Sequence, residues 1–467
     1  MKIAFSFLGG KHWIAGVTIL ESILAALHSL GAERPRIALV VHPGKDEAEY
    51  ESLKPLVDEI LHMPPPAPPA KNGGAAKLSS SSSSTSRSAA RGAQQTASSS
   101  QRAVRFLKRV LGRFTPNAPS SADACGGDSF SATGAELNEK LKSGETPASS
   151  AAANADAGMS DLERFLLAHG VDAFFTKNEC QPFTRIPLIG WIPDFQQEHL
   201  PEMFSEDEMA KRRAYFQKVA ECCTRVVLTS RTVLSDYMHY LPEFAGKGRV
   251  MPFVTLVPSE CLQSDPSWIV GEYQLPERFI YLPNQFFKHK NHQTVIEALR
   301  KAVEQNRDVC VVCTGNTQDH RHPHYFAEIE KQIESAGLRQ NFRILGLIPY
   351  PHVFALMRQS LAVLQPSKFE GHPLSLAESK SMGKRIILSD IPVHRELAPD
   401  WAWFFAPDDE AALGALMLRL FSESMPGPDS ELERRMQAEN PSRVRHFAQT
   451  FIGIIEEARA REAVCST

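Results

Sequence analysis

Two carboxylates, Glu370 and Glu378, flank the turn in Pro366-Ser367-Lys368-Phe369-Glu370-Gly371-His372-Pro373-Leu374-Ser375-Leu376-Ala377-Glu378. The stretch follows an apolar run, Leu361–Leu364, and opens a helical pattern, so it reads as strand, turn and helix. In a parallel α/β sheet, ligands bind beyond the carboxyl ends of strands, where helix N-termini point free amides at an anion. Gly371 lets a backbone come close to a ligand there, and His372, Pro373, Leu374 and Ser375 line the same turn. Glu370 falls in the turn and Glu378 one to two turns into the helix. The pair can accept bonds from sugar and ribose hydroxyls on either side of an amide-bound diphosphate. The plain alternative is a helix capped by Ser375 with Glu378 in solvent.

A second strand-to-loop-to-helix passage is Tyr281-Leu282-Pro283-Asn284-Gln285-Phe286-Phe287-Lys288-His289-Lys290-Asn291-His292. Lys288 and Lys290 can place positive charge on a diphosphate as point charges. The alternative is two solvated loop lysines. His320, His322 and His324 alternate in a polar loop without a carboxylate-rich shell, which favours a solvated or base-contacting loop over a metal site. Cys310 and Cys313 lie three apart in an apolar run read as a strand, so their sulfurs point to opposite faces and cannot grip one metal.

The elements around these stretches repeat one pattern. Lys2–Phe7, Arg36–Val41, Asp172–Phe175, Ile186–Ile192 and Arg225–Leu228 are short apolar runs separated by helical periodicity. A second series holds runs at Phe279–Leu282, Val309–Cys313, Phe342–Leu345, Leu361–Leu364 and Arg385–Leu388. Continuous β-branched runs alternating with helices predict parallel sheets covered on both faces. The fold class is therefore α/β, with two tandem Rossmann-like domains facing a cleft. The first covers residues 1–256, a linker 257–275, the second domain 276–441, and a C-terminal helix within 442–467 returns to the first domain.

Residues 64–157 interrupt the first domain. Pro64–Pro69 is nearly all proline and Ser79–Ser84 is unbroken serine, a composition that cannot offset chain entropy by burial. Arg102–Phe114 differs: Phe106, Leu107, Val110 and Leu111 share one helical face, with Arg102, Arg105, Arg109 and Arg113 opposite. No acid occurs between Pro64 and Ala122. The helix 102–114 either rests on an anionic membrane surface or packs on its own domain.

A chain of 467 residues with net charge −3 is no general nucleic-acid binder. Its eight cysteines form no framework, which predicts a reducing compartment. No apolar run is long enough to span a bilayer, and Met1–Leu8 lacks a small-residue cleavage site, so a cytoplasmic location is expected.

Together the two site stretches resemble the second domain of family 4 GT-B glycosyltransferases. The resemblance extends through Leu345-Gly346-Leu347-Ile348-Pro349 and Ser389-Asp390-Ile391-Pro392-Val393-His394-Arg395-Glu396. Trp191-Ile192-Pro193-Asp194-Phe195-Gln196 with Leu200–Ser205 is similar to the branch that builds bacterial polysaccharide and lipopolysaccharide, and Gly9-Gly10 with Trp13 and Gly16 to that branch's N-terminal loop. The resemblance implies a metal-independent, retaining transfer of a hexose, mannosyltransferase-like favoured, from a nucleotide-diphosphate sugar to a saccharide or lipid-linked saccharide, with no cofactor. It assigns Glu370 to the transferred sugar, Glu378 to the ribose, Lys290 to the diphosphate, and Gly9 and Gly10 to the loop facing that diphosphate. No Asp-x-Asp occurs that would hold a divalent ion.

Two departures stand out. The family usually has arginine where this chain has Gln285, a change Lys288 is placed to offset. The family's cleft histidine corresponds to Gln197, which leaves His199 either as its substitute or as a plain surface histidine. A nucleotide-sugar epimerase of the same architecture and a non-catalytic nucleotide-sugar-binding protein are the alternative functions.

Overall fold

The computed structural model describes residues 1–7, 14–45, 47–65, 159–177 and 181–465. Gly9, Gly10 and the basic stretch 102–114 lie outside the described residues. Thirteen strands, numbered in chain order, form two sheets. In the first, β1 (Lys2–Ser6), β2 (Arg36–Val41), β3 (Glu59–His62), β4 (Ala173–Phe175), β5 (Leu188–Ile192), β6 (Arg225–Leu228) and β7 (Gly248–Val250) lie in the order β3-β2-β1-β4-β5-β6-β7. In the second, β8 (Ile280–Leu282), β9 (Val311–Cys313), β10 (Phe342–Ile344), β11 (Ala362–Gln365), β12 (Ile386–Ser389) and β13 (Trp403–Phe405) lie in the order β10-β9-β8-β11-β12-β13.

Every pairing in both sheets is parallel. Both orders are doubly wound: the chain runs outward from β1 or β8, then returns to the other side of that strand. The reversal opens a crevice beyond the carboxyl ends of the two central neighbours. In the second sheet those neighbours are β8 and β11, which end in the two lysine- and glutamate-bearing loops.

The strands are almost wholly buried because helices cover both faces. Cys310 joins the core on one face of the second sheet and Cys313 the core on the other, as the strand alternation predicts. Burial raises both thiols, Cys310 to about 12, which keeps them inert. The stretch 257–275 contains two short helices, Ser259–Gln263 and Trp268–Glu272, and Ile269 and Leu275 pack into the core beneath Tyr281 and Val312.

The C-terminal helix is longer than expected. It runs Ser430–Cys465, 36 residues, and takes Pro441 inside it rather than starting beyond it. At about 1.5 Å per residue it spans roughly 54 Å, enough to bridge both sheets. Its start rests on the second: Arg358 donates to Glu433 at 2.7 and 3.1 Å, and Gly383, at φ +73°, leaves room only for the backbone of Leu432. Its end packs Phe447, Phe451, Ile454 and Ile455 onto the first core, with the Phe451 ring 5.7 Å from Phe5 and 5.6 Å from Phe175.

Candidate active site

Two loops meet at the mouth of β8 and β11, and buried polar side chains tie them together. Asn291 takes a left-handed conformation (φ 61°), which turns the chain into helix His292–Gln305. Its amide donates to the carbonyls of Pro366 at 3.1 Å and Pro407 at 2.8 Å. The Lys368 amide donates to the His289 carbonyl at 2.9 Å. Gln365, buried at the end of β11, donates to Glu370 at 2.7 Å and accepts from Ser375 Oγ at 2.6 Å. Ser375 therefore does not cap its helix; Pro373 holds the cap position of Leu374–Met382, and Glu378 is buried. The reading of a capped helix with a solvated carboxylate fails on both counts.

This bracing brings Lys290 Nζ to 2.6 Å from Glu370 Oε1. Burial alone would push the Glu370 carboxyl up, but the Lys290 ammonium beside it outweighs burial and brings it down to about 2. Glu378 has no such partner. Burial pushes it up to about 7, against a 2.6 Å bond from the Tyr350 hydroxyl. Two carboxylates on one turn are thus held apart in protonation by their surroundings, one always charged and one titrating near neutrality.

The sign of the Glu378 effect is testable. Its folded pKa lies above its unfolded one, so between pH 4.5 and about 7 the folded protein binds the extra proton. Stability attributable to this group is then present at low pH and lost as pH rises through 7. A rise from 4.5 to about 7 corresponds to roughly 3 kcal/mol at most. Glu378→Gln, which stays neutral, should therefore gain on the native protein when urea midpoints at pH 8.5 are compared with those at pH 5. Parallel pH profiles would mean that the carboxylate is not desolvated.

The second loop also closes against the first domain. A side chain on Gly371 would fall on the Pro193 carbonyl and within 2.6 Å of Asp194 Cβ, so the close approach that this glycine permits is to backbone of the facing domain. Thr229 Oγ1 donates to the Gly371 carbonyl at 2.8 Å. Glu396 accepts from the amides of Arg231 (2.6 Å) and Thr232 (2.8 Å), capping helix Arg231–Tyr240 from across the cleft. His372 is half-buried, edge-on to Phe253 at 5.4 Å, and its two buried ring nitrogens have no partner among the described residues. Burial lowers it to about 4, so it is neutral at pH 7. Leu374 packs against the first core.

The remaining candidates sit further out. Gln285 and Lys288 are exposed in the β8 loop. His199 bonds Asp236 at 2.9 Å, and its ring lies 5.1 Å from Phe369, beside the Glu370 turn but with no hydrogen bond to Glu370, Lys290 or Glu378. Gln197 is buried and accepts from Arg212 at 2.8 Å, so it braces helix Glu206–Cys222. Among the described residues no group of three His, Cys, Asp or Glu is placed to hold a metal, His320, His322 and His324 included.

Tyr350, Gln365 and Asn291 escaped sequence reasoning. Only Asn291 carried a signal, as a residue tolerant of positive φ just before a helix.

Residues 271–443 match the family of group 1 glycosyl transferases. The match falls on the second sheet and the helices around it. No curated protein sequence matches the chain. Among solved structures, the Rickettsia africae glycosyltransferase is similar over 98% of each chain, at 15% identity and TM-score 0.56. Anabaena HepE, solved with UDP and glucose, is similar over 100% of each chain, at 14% identity and TM-score 0.54. WaaG, a glycosyltransferase involved in lipopolysaccharide biosynthesis, is similar over 98% of each chain, at 12% identity and TM-score 0.51. The two-sheet arrangement of this chain is the GT-B fold.

Proposed function

We propose that this protein is a glycosyltransferase that retains anomeric configuration and moves a hexose from a nucleotide-diphosphate sugar to a saccharide or lipid-linked saccharide, without a metal. The observation that carries the reading is the Lys290–Glu370 pair, 2.6 Å apart at the crevice between β8 and β11, with Glu378 in the helix that follows. HepE binding UDP supports a uridine donor as the first to try.

In this reading Glu370 accepts hydroxyls of the transferred sugar, Glu378 those of the ribose, and Lys290 faces the diphosphate, with Gln285, Lys288, and the turn Gly371–Ser375 around it. Gly9 and Gly10 face the same diphosphate from the first domain, and His199 stands at the acceptor side. The bond from the sugar C1 to the diphosphate oxygen breaks as the acceptor oxygen bonds C1 from the same face. The acceptor proton passes to the departing phosphate. Charge grows on the diphosphate, and Lys290 with the N-terminus of helix Leu374–Met382 meets it.

The test is product formation across a panel of UDP-, GDP- and ADP-hexoses, each with and without EDTA. One donor should yield a glycoside at an unchanged rate in chelator. Free reducing sugar with no acceptor points to an epimerase, and donor binding without product to a sensor. Loss of transfer in EDTA removes the metal-independent step.

The basic stretch 102–114 is proposed to hold a cytoplasmic enzyme on the inner membrane face, since each basic residue near anionic lipid contributes about 1 kcal/mol. No helix among the described residues is long and apolar enough to cross a membrane. Cosedimentation with phosphatidylglycerol vesicles should weaken as salt rises and disappear when 64–157 is deleted; equal sedimentation of both proteins removes the proposal.

A further inference from the structure

Of the cations around the crevice, Lys288 stands exposed on the β8 loop and the others are paired or neutral. Lys290 is committed to Glu370, so that pair carries no net charge. Burial drives His289 well below its usual range, His292 to about 3 and His372 to about 4, so none is a cation at neutral pH. One further positive group stands at the same place with its bonding unfinished.

Arg321 lies in the loop after β9, the strand beside β8. Its guanidinium sits between the domains, 4.7 Å over the ring of Phe204 from the first and 6.0 Å from Phe287 of the β8 loop. Its side chain is 12% exposed. The only side-chain hydrogen bond it makes among the described residues is a 3.3 Å contact from Nη1 to Gln196 Oε1, and its buried Nε has no hydrogen-bond partner. Asp319 pairs with Arg321 only at long range, and the other nearby carboxylates are engaged elsewhere. Asp319, 3.9 Å away, accepts from the amides of Arg321 (3.0 Å) and Lys288 (3.3 Å). Asp194 takes Arg212 at 2.8 Å, and Glu208 closes a capping box with Ser205. The bond from the Lys288 amide to Asp319, two residues before Arg321, ties the Arg321 loop to the loop that carries Lys290. A buried donor left unmade costs free energy unless a ligand completes it, and the planar guanidinium fork matches phosphate oxygens.

We propose that Arg321 contacts the diphosphate of the donor and adds a positive charge on the leaving group to those of Lys290 and Lys288. The assignment rests on the transferase reading above. It makes the site one built from both domains: Phe204 and Gln196 of the first seat Arg321, and Nη2, which makes no hydrogen bond among the described residues and is not buried, is the N–H left for a phosphate oxygen.

Two measurements test it: titration calorimetry with inorganic pyrophosphate, and transfer from the donor found in the panel. Arg321→Gln should weaken pyrophosphate binding roughly tenfold or more and lower kcat at saturating donor by a similar factor, since a charge-assisted bond is lost. Gln285 is exposed on the adjoining loop, whose backbone lies against Gly315. Adding Gln285→Arg to Arg321→Gln should therefore restore part of both. An Arg321 that only props the domains apart would lose transfer with pyrophosphate affinity intact and gain nothing from Gln285→Arg; that pattern overturns the proposal, as does an Arg321→Gln variant equal to the native protein. If Arg321→Gln does not fold, Arg321→Lys keeps charge and stem but loses the fork. Its affinity should fall roughly threefold to tenfold, and unchanged affinity is equally fatal. A native protein that transfers no sugar sinks the transferase reading, while the pyrophosphate comparison still decides this one.

Discussion

Glu370→Gln lowers sugar transfer at least a hundredfold while the protein stays folded. Each charge-assisted bond from carboxylate to hydroxyl is worth about 1.5–3 kcal/mol, and a carboxylate holding two sugar hydroxyls loses both. At about 1.4 kcal/mol per tenfold, that is roughly a hundredfold or more. The glutamine keeps the shape that Gln365 and Lys290 pack around. Both variants leave Lys290 without its counter-charge, and Glu370→Ala is the poorer probe because it also opens a void in a buried turn. The measurement is initial rate with the preferred donor beside a thermal unfolding curve. A folded Glu370→Gln protein turning over within threefold of native would remove Glu370 from the sugar site.

Lys290→Ala has the second large effect, on two properties at once. Transfer should be abolished, with kcat falling more than donor affinity, because charge on the leaving diphosphate grows toward the transition state. Stability should fall as well, since the Glu370 carboxylate is left buried and unpaired; breaking one partner of a buried pair costs about 3–5 kcal/mol. The pH dependence follows from the sign. The depressed Glu370 pKa, about 2 against an unfolded 4.5, contributes stability above pH 4.5 that is lost as pH falls toward 2. Removing Lys290 removes that contribution, so the gap between variant and native should be widest near neutrality and narrow in acid. Lys290→Ala with Glu370→Gln should recover most of the stability and none of the activity. Chemical denaturation of the three proteins at pH 7 and pH 4 decides it. A single mutant as stable as native at pH 7 contradicts the buried pair.

Such effects were legible only in part from residue order. The lysine and both glutamates stand out because they sit where a strand-like run gives way to a helical one, and that position has a chemical meaning in any parallel sheet. Their burial does not stand out. Whether Glu378 is solvated depends on Tyr350 arriving from another helix, and Glu370 owes its low pKa to a lysine 80 residues away. Gln197 looked like a weakened cleft position and instead braces Arg212. Arg321 sat in a loop noticed only for its histidines, since nothing local marks a cation whose partners come from the facing domain.

By itself the sequence determined the two-sheet α/β architecture, the central strands and the family of its second half, because a strand covered on both faces must be apolar along its whole length and announces itself. It did not determine β3, β7 and β13, which all lie at sheet edges. Their burial is partial; β3 and β7 carry no continuous apolar run, and β13 is only three residues long. Nor did it place the start of the last helix, where Pro441 argued for a break that packing overrode. Only the tertiary structure decided the protonation of Glu378, the neutralisation of Lys290 and the unfinished bonding of Arg321. Those are properties of desolvation and distance between segments far apart in the chain, and no local pattern of residue types encodes them.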